Sequence, residues 1–342
     1  MKHTKLKIEN IIHERDDFRT IVFEDGHGIR FKAGQYITFV HHTGLEEVRR
    51  SYSILSSPDL NEPLAIGVKR ITNGIFSRYL TDKVLPGDEL ETTGAGGFFL
   101  LPGNAEAYEE FFFLAAGSGI TPILSLIKTA LHRHPQLQVT LLYSSHSFRG
   151  ILYQQEIESL REKFGERFHV QYFISEAPLL TEARLNRVIL LDRISKQKSN
   201  HNKTLYYICG PEAYMRMCTF TLREMDVAYE NIRKENFALE KKLPAPLLPP
   251  DRTSHGVKLT IEDKTYEFVV SYPDTILHAA RKQGIDLPYS CDTGRCGSCA
   301  ATCTKGQVWL SYNEVLTEKE LKNGMTLTCV GHPVFGDVEL KV

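Results

Sequence analysis

The pattern of apolar and polar positions divides the chain into segments of different kinds. From residue 1 to residue 100, apolar and polar residues alternate in short runs such as Leu6–Ile11 and Arg19–Phe23, and turns with Gly or Pro separate the runs. Alternation is typical of strands with one buried face, and short strands with regular turns predict a small antiparallel β-barrel. After a polar connector at 101–110, Phe111–Ala116 is a continuous apolar run. Such a run predicts a parallel strand that is buried on both faces.

The middle of the chain alternates between predicted strands and predicted helices. A helix over Ile123–His132 follows the apolar strand, with Pro122 in its first turn and Thr121 as its cap. Further strands are predicted at Val139–Tyr143, Phe168–Ile174 and Thr204–Ile208, and further helices at Tyr153–Phe164 and Pro211–Met225. This alternation predicts an α/β domain built around a parallel sheet.

A proline-rich segment separates the α/β domain from the C-terminal part of the chain. Ala238–His255 contains several prolines and little patterning, as expected of a semi-rigid linker. Beyond it, Val257–Ile261 and Tyr266–Val270 predict a β-hairpin. Thr275–Gln283 predicts a helix and Met325–Val330 a late strand. The C-terminal part therefore has an α+β pattern.

Four cysteines in this part carry the strongest chemical signal of the sequence. Cys291, Cys296 and Cys299 form a C-x4-C-x2-C run of small, turn-forming residues, and Cys329 follows near the C-terminus. This is the ligand spacing of a plant-type [2Fe–2S] cluster. A structural zinc site usually shows two C-x2-C pairs, and disulfides are unusual without a secretory signal. Cys303 lies outside the pattern and is interpreted as a small buried residue.

Two short motifs in the predicted barrel suggest a flavin site. The segment Arg50-Ser51-Tyr52-Ser53 is followed by the G-x-x-S segment Gly74–Ser77, and together they resemble the flavin-binding domain of the ferredoxin–NADP reductase family. The resemblance implies that Arg50 pairs with a flavin phosphate, that Tyr52 covers the ring or the ribityl chain, and that Ser53 bonds the reactive nitrogen. The helix that opens at Gly74 would hold the pyrophosphate. The matching positions are Arg50, Ser51, Tyr52, Ser53, Val68, Lys69, Gly74, Ile75, Phe76 and Ser77. By itself, the first motif is a weak signal and fits an ordinary edge strand better; the downstream G-x-x-S segment and the next domain make it strong.

Two segments of the α/β domain are similar to the nicotinamide-binding domain of the same family. Gly117-Ser118-Gly119-Ile120-Thr121-Pro122 forms the turn between a strand and a helix, which is the anion-binding unit of a dinucleotide domain. Cys209-Gly210-Pro211 follows a late strand, and in the family this cysteine lies beside the nicotinamide carbon that gives up hydride. The alternative for Cys209 is a buried core thiol. Ser53, Cys209 and Thr121 are thus the candidate catalytic residues. Phe237 is either a flavin neighbour or a core residue.

The choice of nucleotide depends on the residues after the Val139–Tyr143 strand. An acidic residue there would accept the ribose hydroxyls of NADH, and the sequence has none. Ser145, Arg149 and Tyr153 are available to hold a 2′-phosphate instead. We therefore expect NADPH rather than NADH, with a solvent-facing Arg149 as the alternative interpretation.

Composition adds limits on partners and location. The formal net charge of −1 gives no reason to expect binding to nucleic acid or to an anionic membrane. The N-terminal residues lack the apolar core of a signal peptide, and no run reaches the roughly 18 apolar residues of a membrane span. We expect a cytoplasmic protein, since cluster thiols need a reducing compartment.

The resemblances together cover nearly the whole chain. They predict an FAD-binding β-barrel at 1–104, an NAD(P)-binding α/β domain at 105–237, a linker at 238–255 and a plant-type ferredoxin domain of the β-grasp type at 256–342. This order is similar to the reductase components of bacterial oxygenase systems, such as the reductase subunit of phenylacetyl-CoA epoxidase. FMN in place of FAD stays open, although the G-x-x-S helix start favours the cofactor with a pyrophosphate.

The resemblance implies an electron-transport enzyme. A nicotinamide gives up two electrons as one hydride, a [2Fe–2S] cluster takes one at a time, and a flavin can do both. Electrons would pass from NAD(P)H to FAD, then to the cluster, and on to an oxygenase, hydroxylase or desaturase. Two alternatives remain at this point: a self-sufficient diaphorase with no dedicated partner, and a non-catalytic subunit whose cluster senses the redox state.

Overall fold

The computed structural model describes residues 3–43, 46–179, 183–197, 200–237 and 248–342. Two compact units emerge from the contacts within the chain. The larger unit comprises residues 4–95 and 99–237, and the smaller unit comprises residues 1–3, 96–98 and 238–342. No helix in the part of the chain that is described is long and apolar enough to cross a membrane.

The first part of the larger unit is an antiparallel barrel. Its strands are β1 (Thr4–Arg15), β2 (Phe18–Phe23), β3 (Tyr36–Thr43), β4 (Glu46–Ser53), β5 (Ala65–Lys69) and β6 (Glu89–Gly96). They form one sheet in the order β4-β3-β6-β1-β2-β5. A bridge between Ile54, next to β4, and Ile66 of β5 links the two edge strands, so the sheet closes on itself as predicted. Helix α1 (Ile75–Asp82) buries Phe76 and Leu80 against the barrel core.

The second part of the larger unit is a parallel sheet between two layers of helices. The strands are β7 (Glu110–Ala116), β8 (Gln138–Ser145), β9 (Phe168–Ile174), β10 (Thr204–Cys209) and β11 (Ile232–Glu235), in the order β11-β10-β7-β8-β9. The helices are α2 (Ile120–Arg133), α3 (Gln154–Phe164), α4 (Arg187–Ser195) and α5 (Glu212–Glu224). Every residue of β7 is buried, and Phe111 and Phe112 belong to separate core clusters on its two faces. The continuous apolar run was therefore a correct indication of a central strand.

Helix α2 differs from its prediction in one respect that matters for the site. It begins at Ile120, directly after the glycine turn, instead of at Ile123. Thr121 therefore lies in the first helical turn, and no side chain caps the helix. The first backbone N–H groups of α2 are left without a side-chain partner, as in helices that bind anions.

The smaller unit is a mixed sheet with one main helix. Its elements are β12 (His255–Ile261), β13 (Lys264–Val270), α6 (Ile276–Lys282), β14 (Ala300–Leu310), α7 (Glu318–Lys322), β15 (Met325–Leu327) and β16 (Gly331–Lys341). The strand order is β13-β12-β16-β14-β15, with β12 and β16 parallel and the other pairs antiparallel. The side chain of Thr275 caps α6 by accepting the N–H of His278. This is the predicted α+β fold.

The predicted linker and the predicted strand at Cys329 both differ from the structure in their bounds. Residues 238–247 of the predicted linker lie outside the described residues, and the last linker residue, His255, is already part of β12. Cys329 was predicted to lie on a strand, but β15 ends at Leu327 and Cys329 lies in the turn before β16. A turn brings this thiol toward the loop of the other three cysteines, whereas a straight strand would carry it past them.

Candidate functional site

The loop between α6 and β14 presents the three clustered thiols of the smaller unit. Backbone N–H groups of Thr293 and Arg295 donate to Cys291 Sγ, each at 3.4 Å. The N–H of Cys291 donates to Cys296 Sγ at 3.4 Å, and that of Ser298 at 3.5 Å. Such N–H groups stabilise thiolates and help to set the potential of an iron–sulfur cluster. The loop is therefore built around its sulfur atoms.

The four thiols form one chain of contacts. Cys299 Sγ lies 3.2 Å from Cys329 Sγ, and both residues are buried. Cys291 contacts both Cys296 and Cys329, and hydrogen bonds with these two thiols lower the pKa of Cys291. No point in the described ranges is surrounded by three or more His, Cys, Asp or Glu side chains as a single metal ion requires. Four neighbouring thiols fit a two-iron cluster, in which each iron takes two protein ligands.

Glycines allow the loop to close around this site. Gly294 and Gly297 have φ angles of +73° and +76°, and a Cβ at Gly294 would lie 2.9 Å from the backbone oxygen of Tyr312. Cys303 lies on β14, outside the loop, and its thiol points toward the carbonyl of Lys305 at 3.3 Å. It is half-buried instead of buried, so our interpretation of Cys303 was wrong on burial.

In the barrel, the two predicted flavin motifs come together. β4 carries Arg50–Ser53, and the ring of Tyr52 meets the ring of Phe76 from α1 edge-on, with centroids 6.0 Å apart. Helix α1 begins after Gly74 without a side-chain cap, and a Cβ at Gly74 would lie only 2.4 Å from Ser77 Oγ. An uncapped helix start beside a half-buried arginine and tyrosine fits a phosphate-bearing flavin.

Several residues of these motifs are already engaged within the protein. Ser77 Oγ accepts the N–H of Ile71 at 3.2 Å and donates to Gly74 O at 3.3 Å, so its hydroxyl shapes the turn before α1. Val68 is fully buried in the barrel core, which leaves only its backbone for a ligand. Ser51 shares a 2.8 Å hydrogen bond with Thr38, and Arg50 donates to the carbonyl of Arg49 at 2.8 Å.

The other residues predicted to bind the flavin differ in their exposure. Ser53 is buried and ends β4, while Lys69 and Ile75 are exposed. Burial raises the pKa of Tyr52, so its hydroxyl stays protonated and can donate a hydrogen bond at neutral pH.

At the carboxyl edge of the parallel sheet, the glycine turn and the Cys-Gly-Pro segment touch. A Cβ at Gly119 would lie 2.2 Å from the carbonyl oxygen of Cys209 and 2.8 Å from the N of Gly210. A Cβ at Gly210 would in turn lie 2.8 Å from Ala116 Cβ. Gly117 adopts a φ of +55°, and its carbonyl accepts the hydroxyl of Tyr143 at 3.2 Å. The absence of side chains at Gly119 and Gly210 thus lets the two segments pack backbone against backbone, and of these three glycines only Gly117 leaves open space at this edge.

The side chains of the proposed catalytic residues at this edge are strongly buried. The Cys209 thiol has no exposed surface, and burial, with a smaller effect of Glu235, raises its pKa. It is therefore a neutral thiol at neutral pH and not a nucleophile. Thr121 faces the barrel, because a Cβ at Gly67 of β5 would lie 2.7 Å from its hydroxyl oxygen. Pro211 precedes α5 and starts the helix behind Cys209.

Sequence reasoning did not assign a role to Glu235, the last residue of β11. β11 pairs with β10 in parallel, and the register places Glu235 directly beside Cys209. Burial raises the pKa of its carboxyl group to about 8. Only the strand register could have revealed this neighbour. Phe237, two residues further on, has 43% of its surface exposed, so it is not a core residue of the part that is described.

The residues predicted to hold a 2′-phosphate do not form one group. The hydroxyl of Tyr153 is buried and lies 3.1 Å from Thr20 Oγ1 of the barrel, so it points away from the end of β8. Ser145 is buried and donates to the carbonyl of Ser147 at 3.0 Å. Arg149 alone is exposed. The predicted role of Tyr153 was therefore wrong, and that of Ser145 lacks a free donor.

A carboxylate takes their place at this edge. The N–H of Ser175 donates to Ser145 O at 3.0 Å and that of Glu176 to His146 O at 3.2 Å, which continues the β8–β9 pairing past the strand ends. Glu176 Oε1 then lies 3.3 Å from His146 Nε2. An acid therefore does stand beside the end of β8, although it comes from the neighbouring strand.

Family models match the three segments in the predicted order. An oxidoreductase FAD-binding domain matches residues 5–100, an oxidoreductase NAD-binding domain matches residues 113–219, and a 2Fe-2S iron-sulfur cluster binding domain matches residues 259–334. The predicted FAD-, NAD- and [2Fe–2S]-binding parts are thereby confirmed.

Known proteins share this organisation. The chain is 32% identical over 317 residues to one component of the 1,2-phenylacetyl-CoA epoxidase of Escherichia coli (strain K12), covering 90% of this chain and 88% of that protein. It is 30% identical over 351 residues to the ferredoxin reductase component of the 3-ketosteroid-9-alpha-monooxygenase of Mycobacterium tuberculosis. This match covers 98% of this chain and 95% of that protein. The solved structure of phthalate dioxygenase reductase shares the fold, with a TM-score of 0.61 and 22% sequence identity. The match covers 99% of this chain and 98% of that chain. The chain therefore belongs to the ferredoxin–NADP reductase-type oxygenase reductases that end in a [2Fe–2S] domain.

Proposed function

We propose that this protein carries electrons from a reduced pyridine nucleotide to an oxygenase component, a role that the names of its relatives also suggest. One observation carries the proposal: four neighbouring thiols, two of which accept backbone N–H groups, follow a nucleotide edge in the same chain. A diaphorase needs no such cluster. When bound, FAD takes two electrons from the nicotinamide as a hydride and releases them singly to the [2Fe–2S] cluster.

The residues of the larger unit bind and orient the two organic groups. Gly117, where a Cβ would meet no atom within 4 Å, leaves space for the pyrophosphate of the nucleotide at the start of α2. Arg50 pairs with a phosphate of the flavin, and Ser53 at the end of β4 donates a hydrogen bond to the flavin ring. Cys209 keeps a buried, neutral thiol at the sheet edge where the nicotinamide would bind.

The cluster residues have a different task. Cys291, Cys296, Cys299 and Cys329 hold the irons as thiolates, and the N–H groups of the loop bond to the sulfur atoms. No side chain in either unit has to act as a strong acid or base, since the transferred hydride and electrons need positioning and electrostatic tuning.

An anaerobic titration of the purified protein with NADH or NADPH tests this proposal. We expect bleaching of the flavin bands followed by reduction of the cluster bands, and reoxidation when an oxygenase component is added. Rapid turnover with small acceptors but none with any oxygenase would favour the diaphorase. Binding of cofactors with only slow nucleotide oxidation would favour the redox-sensing subunit.

For the nucleotide, the geometry favours NADH over the NADPH that we expected from the sequence. The expectation rested on the absence of an acid near the end of β8, and Glu176 now fills that position beside His146. A carboxylate accepts the ribose hydroxyls of NADH and repels a 2′-phosphate. Like charges about 4 Å apart repel by about 1 kcal/mol in water and by about 4 kcal/mol near a protein surface. Of the three residues predicted to hold a 2′-phosphate, only Arg149 is exposed and able to offset this repulsion.

Steady-state kinetics with both nucleotides test the choice. We expect the protein to prefer NADH by about tenfold or more in kcat/KM, since 1.4 kcal/mol corresponds to about a factor of ten. Glu176→Gln should reduce that preference several-fold, mainly by improving KM for NADPH. Glu166→Gln is the matched control, because Glu166 is an exposed acid before the start of β9, at the opposite edge of the sheet. A wild-type preference for NADPH would refute the assignment.

The cytoplasmic location and the domain boundaries at residues 104, 237 and 255 stay predictions. The need for reduced cluster thiols supports the first. Limited proteolysis with mass spectrometry of the fragments tests the domain boundaries. Cleavage confined to 238–255 is expected if that segment is a linker.

A further inference from the structure

An arginine in the cluster loop is buried, and two of its three side-chain nitrogen atoms make no hydrogen bond to the described part of the chain. Arg295 lies directly before Cys296, and its side chain has only 2% of its surface exposed. Its Nε and Nη1 atoms are buried and have no hydrogen-bond partner among the described residues. Its nearest acid is Glu314, at 3.6 Å from Nε, which is an ion pair too long for a hydrogen bond. Its guanidinium also lies over the ring of Tyr312, 5.3 Å from the centroid.

Burial of the Arg295 charge lowers the stability of the fold when no cluster is bound. Arginine keeps its charge under all ordinary conditions, and a buried charge destabilises the fold unless other groups compensate it. The carboxylate of Glu314 is a poor match, because it is partly solvated and also accepts the hydroxyl of Tyr312. A further negative charge next to the loop would remove the cost.

The cluster supplies that charge. Four thiolates and the bridging sulfides outweigh the charge of the irons, so a [2Fe–2S] site is anionic, and each added electron makes it more so. The backbone N–H of Arg295 already contacts Cys291 Sγ at 3.4 Å, which fixes the backbone of this residue beside the cluster site. It is also the only basic residue in the segment from Pro288 to Ala300.

We propose that Arg295 tunes the reduction potential of the cluster. A fixed positive charge in a poorly solvated site interacts more favourably with the reduced, more negative state than with the oxidised state. It thereby raises the potential and makes the cluster a better acceptor of electrons. Glu314 acts in the opposite direction, and its partial exposure makes its effect the weaker of the two.

Other charges near the loop are less well placed for this role. Asp292 follows Cys291 and lies 3.1 Å from His278 Nε2, but both side chains are about one third exposed or more. Solvent and salt screen such a pair much more than they screen Arg295. The difference gives a second signature: the effect of Arg295 should persist at high salt.

The experiment is a spectroelectrochemical titration of the full-length holoprotein, following the cluster bands. For Arg295→Gln we expect at least a tenfold lower ratio of reduced to oxidised cluster at a given potential, which is a shift of about 59 mV to more negative values for a one-electron couple. Arg295→Lys keeps the charge and should show a much smaller shift. Glu314→Gln should shift the potential to more positive values. These directions should be the same at low and high salt.

A matched control separates this effect from any loss of surface charge. Lys305 on β14 has 74% of its side chain exposed and pairs with Glu339 across the sheet. Lys305→Gln should change the ratio less than twofold. Unchanged reduction potentials in Arg295→Gln and Glu314→Gln would overturn the inference. Arg295 would then only stabilise the conformation of the loop.

The inference rests on the cluster of the proposed function, and the two fail in different ways. A wild-type protein without cluster absorption after anaerobic reconstitution would refute the function itself. A normal cluster with an unaltered potential in the variants would refute only the role of Arg295. If Arg295→Gln does not retain a cluster, Glu314→Gln decides: the absence of a positive shift would overturn the inference.

Discussion

In the cluster loop, three of four thiols come from one short stretch of chain, whereas the nucleotide edge collects its groups from separate strands. Cys291, Cys296 and Cys299 are placed by the turns between them and by backbone N–H groups of the same loop. At the nucleotide edge, Gly119 meets Cys209 only because β7 and β10 are neighbours in the sheet. The first site depends on local conformation, and the second on strand order and register.

The difference determines what a single substitution does. In a local loop, removing one sulfur removes a ligand but leaves the strands and the other unit intact. At a sheet edge, adding one methyl group at Gly119 forces the glycine turn away from the end of β10, because backbone atoms of the two segments are in contact. The three predictions that follow test this contrast, beginning with the largest effect.

Cys296→Ser should abolish the cluster and spare the flavin reaction. The hydroxyl is a poor replacement for a thiolate, so we expect complete loss of the cluster absorption and of iron binding, with hydride transfer to the flavin retained. Absorption spectra, iron content and anaerobic flavin reduction measure these quantities. Cys303→Ser is the control, because its half-buried thiol on β14 lies outside the loop. A cluster spectrum that survives Cys296→Ser would contradict the ligand assignment.

Gly119→Ala should damage the nucleotide edge as a whole. The new Cβ would lie 2.2 Å from the carbonyl oxygen of Cys209, and neither atom can rotate away. Overpacking of this kind costs roughly 1–3 kcal/mol. We expect a lower melting temperature and at least a tenfold weaker affinity for the nucleotide, while the cluster spectrum is unchanged.

Gly103→Ala provides the comparison for that variant. A Cβ at Gly103 meets no atom within 4 Å, so stability and affinity should stay near the wild-type values. Melting curves and nucleotide titrations of the two variants give the result. Equal behaviour of both would mean that the contact between Gly119 and Cys209 is not a constraint on the site.

The same contrast explains what the sequence could predict. The [2Fe–2S] domain, the apolar β7 strand and the order of the three parts all follow from local spacing and local periodicity, and all are confirmed. Glu176 and Glu235 were missed because each reaches the edge through pairing with a neighbouring strand. Spacing along the chain carries no information about such pairs.

Tyr153 shows how a local prediction can fail through a distant contact. It precedes α3 with a left-handed φ of +57°, and its hydroxyl pairs with Thr20, a residue of the barrel. Its ring also meets Phe18 edge-on at 6.1 Å. The side chain therefore joins the two parts of the larger unit, a role that depends on their packing and leaves no trace in the sequence near Tyr153.

Glu235→Gln should affect only stability, and only at high pH, and it tests whether register creates chemistry at the edge. Burial raises the pKa of this carboxyl to about 8 in the folded state, from an ordinary value of 4.5. The folded protein therefore binds this proton more tightly than the unfolded chain does. The associated stability is present in full below about pH 4.5 and is lost as the pH rises through about 8.

We expect melting curves of the flavin-stripped protein to reveal this loss. Between pH 5 and pH 9 the wild type should lose stability relative to Glu235→Gln by about 1–3 kcal/mol, because a neutral amide does not titrate. Glu230→Gln, which removes an exposed acid close by in the chain, should follow the wild type at every pH. Parallel curves for Glu235→Gln and the wild type would show that the carboxyl is solvated when β11 pairs with β10, and that Cys209 has no buried acid beside it.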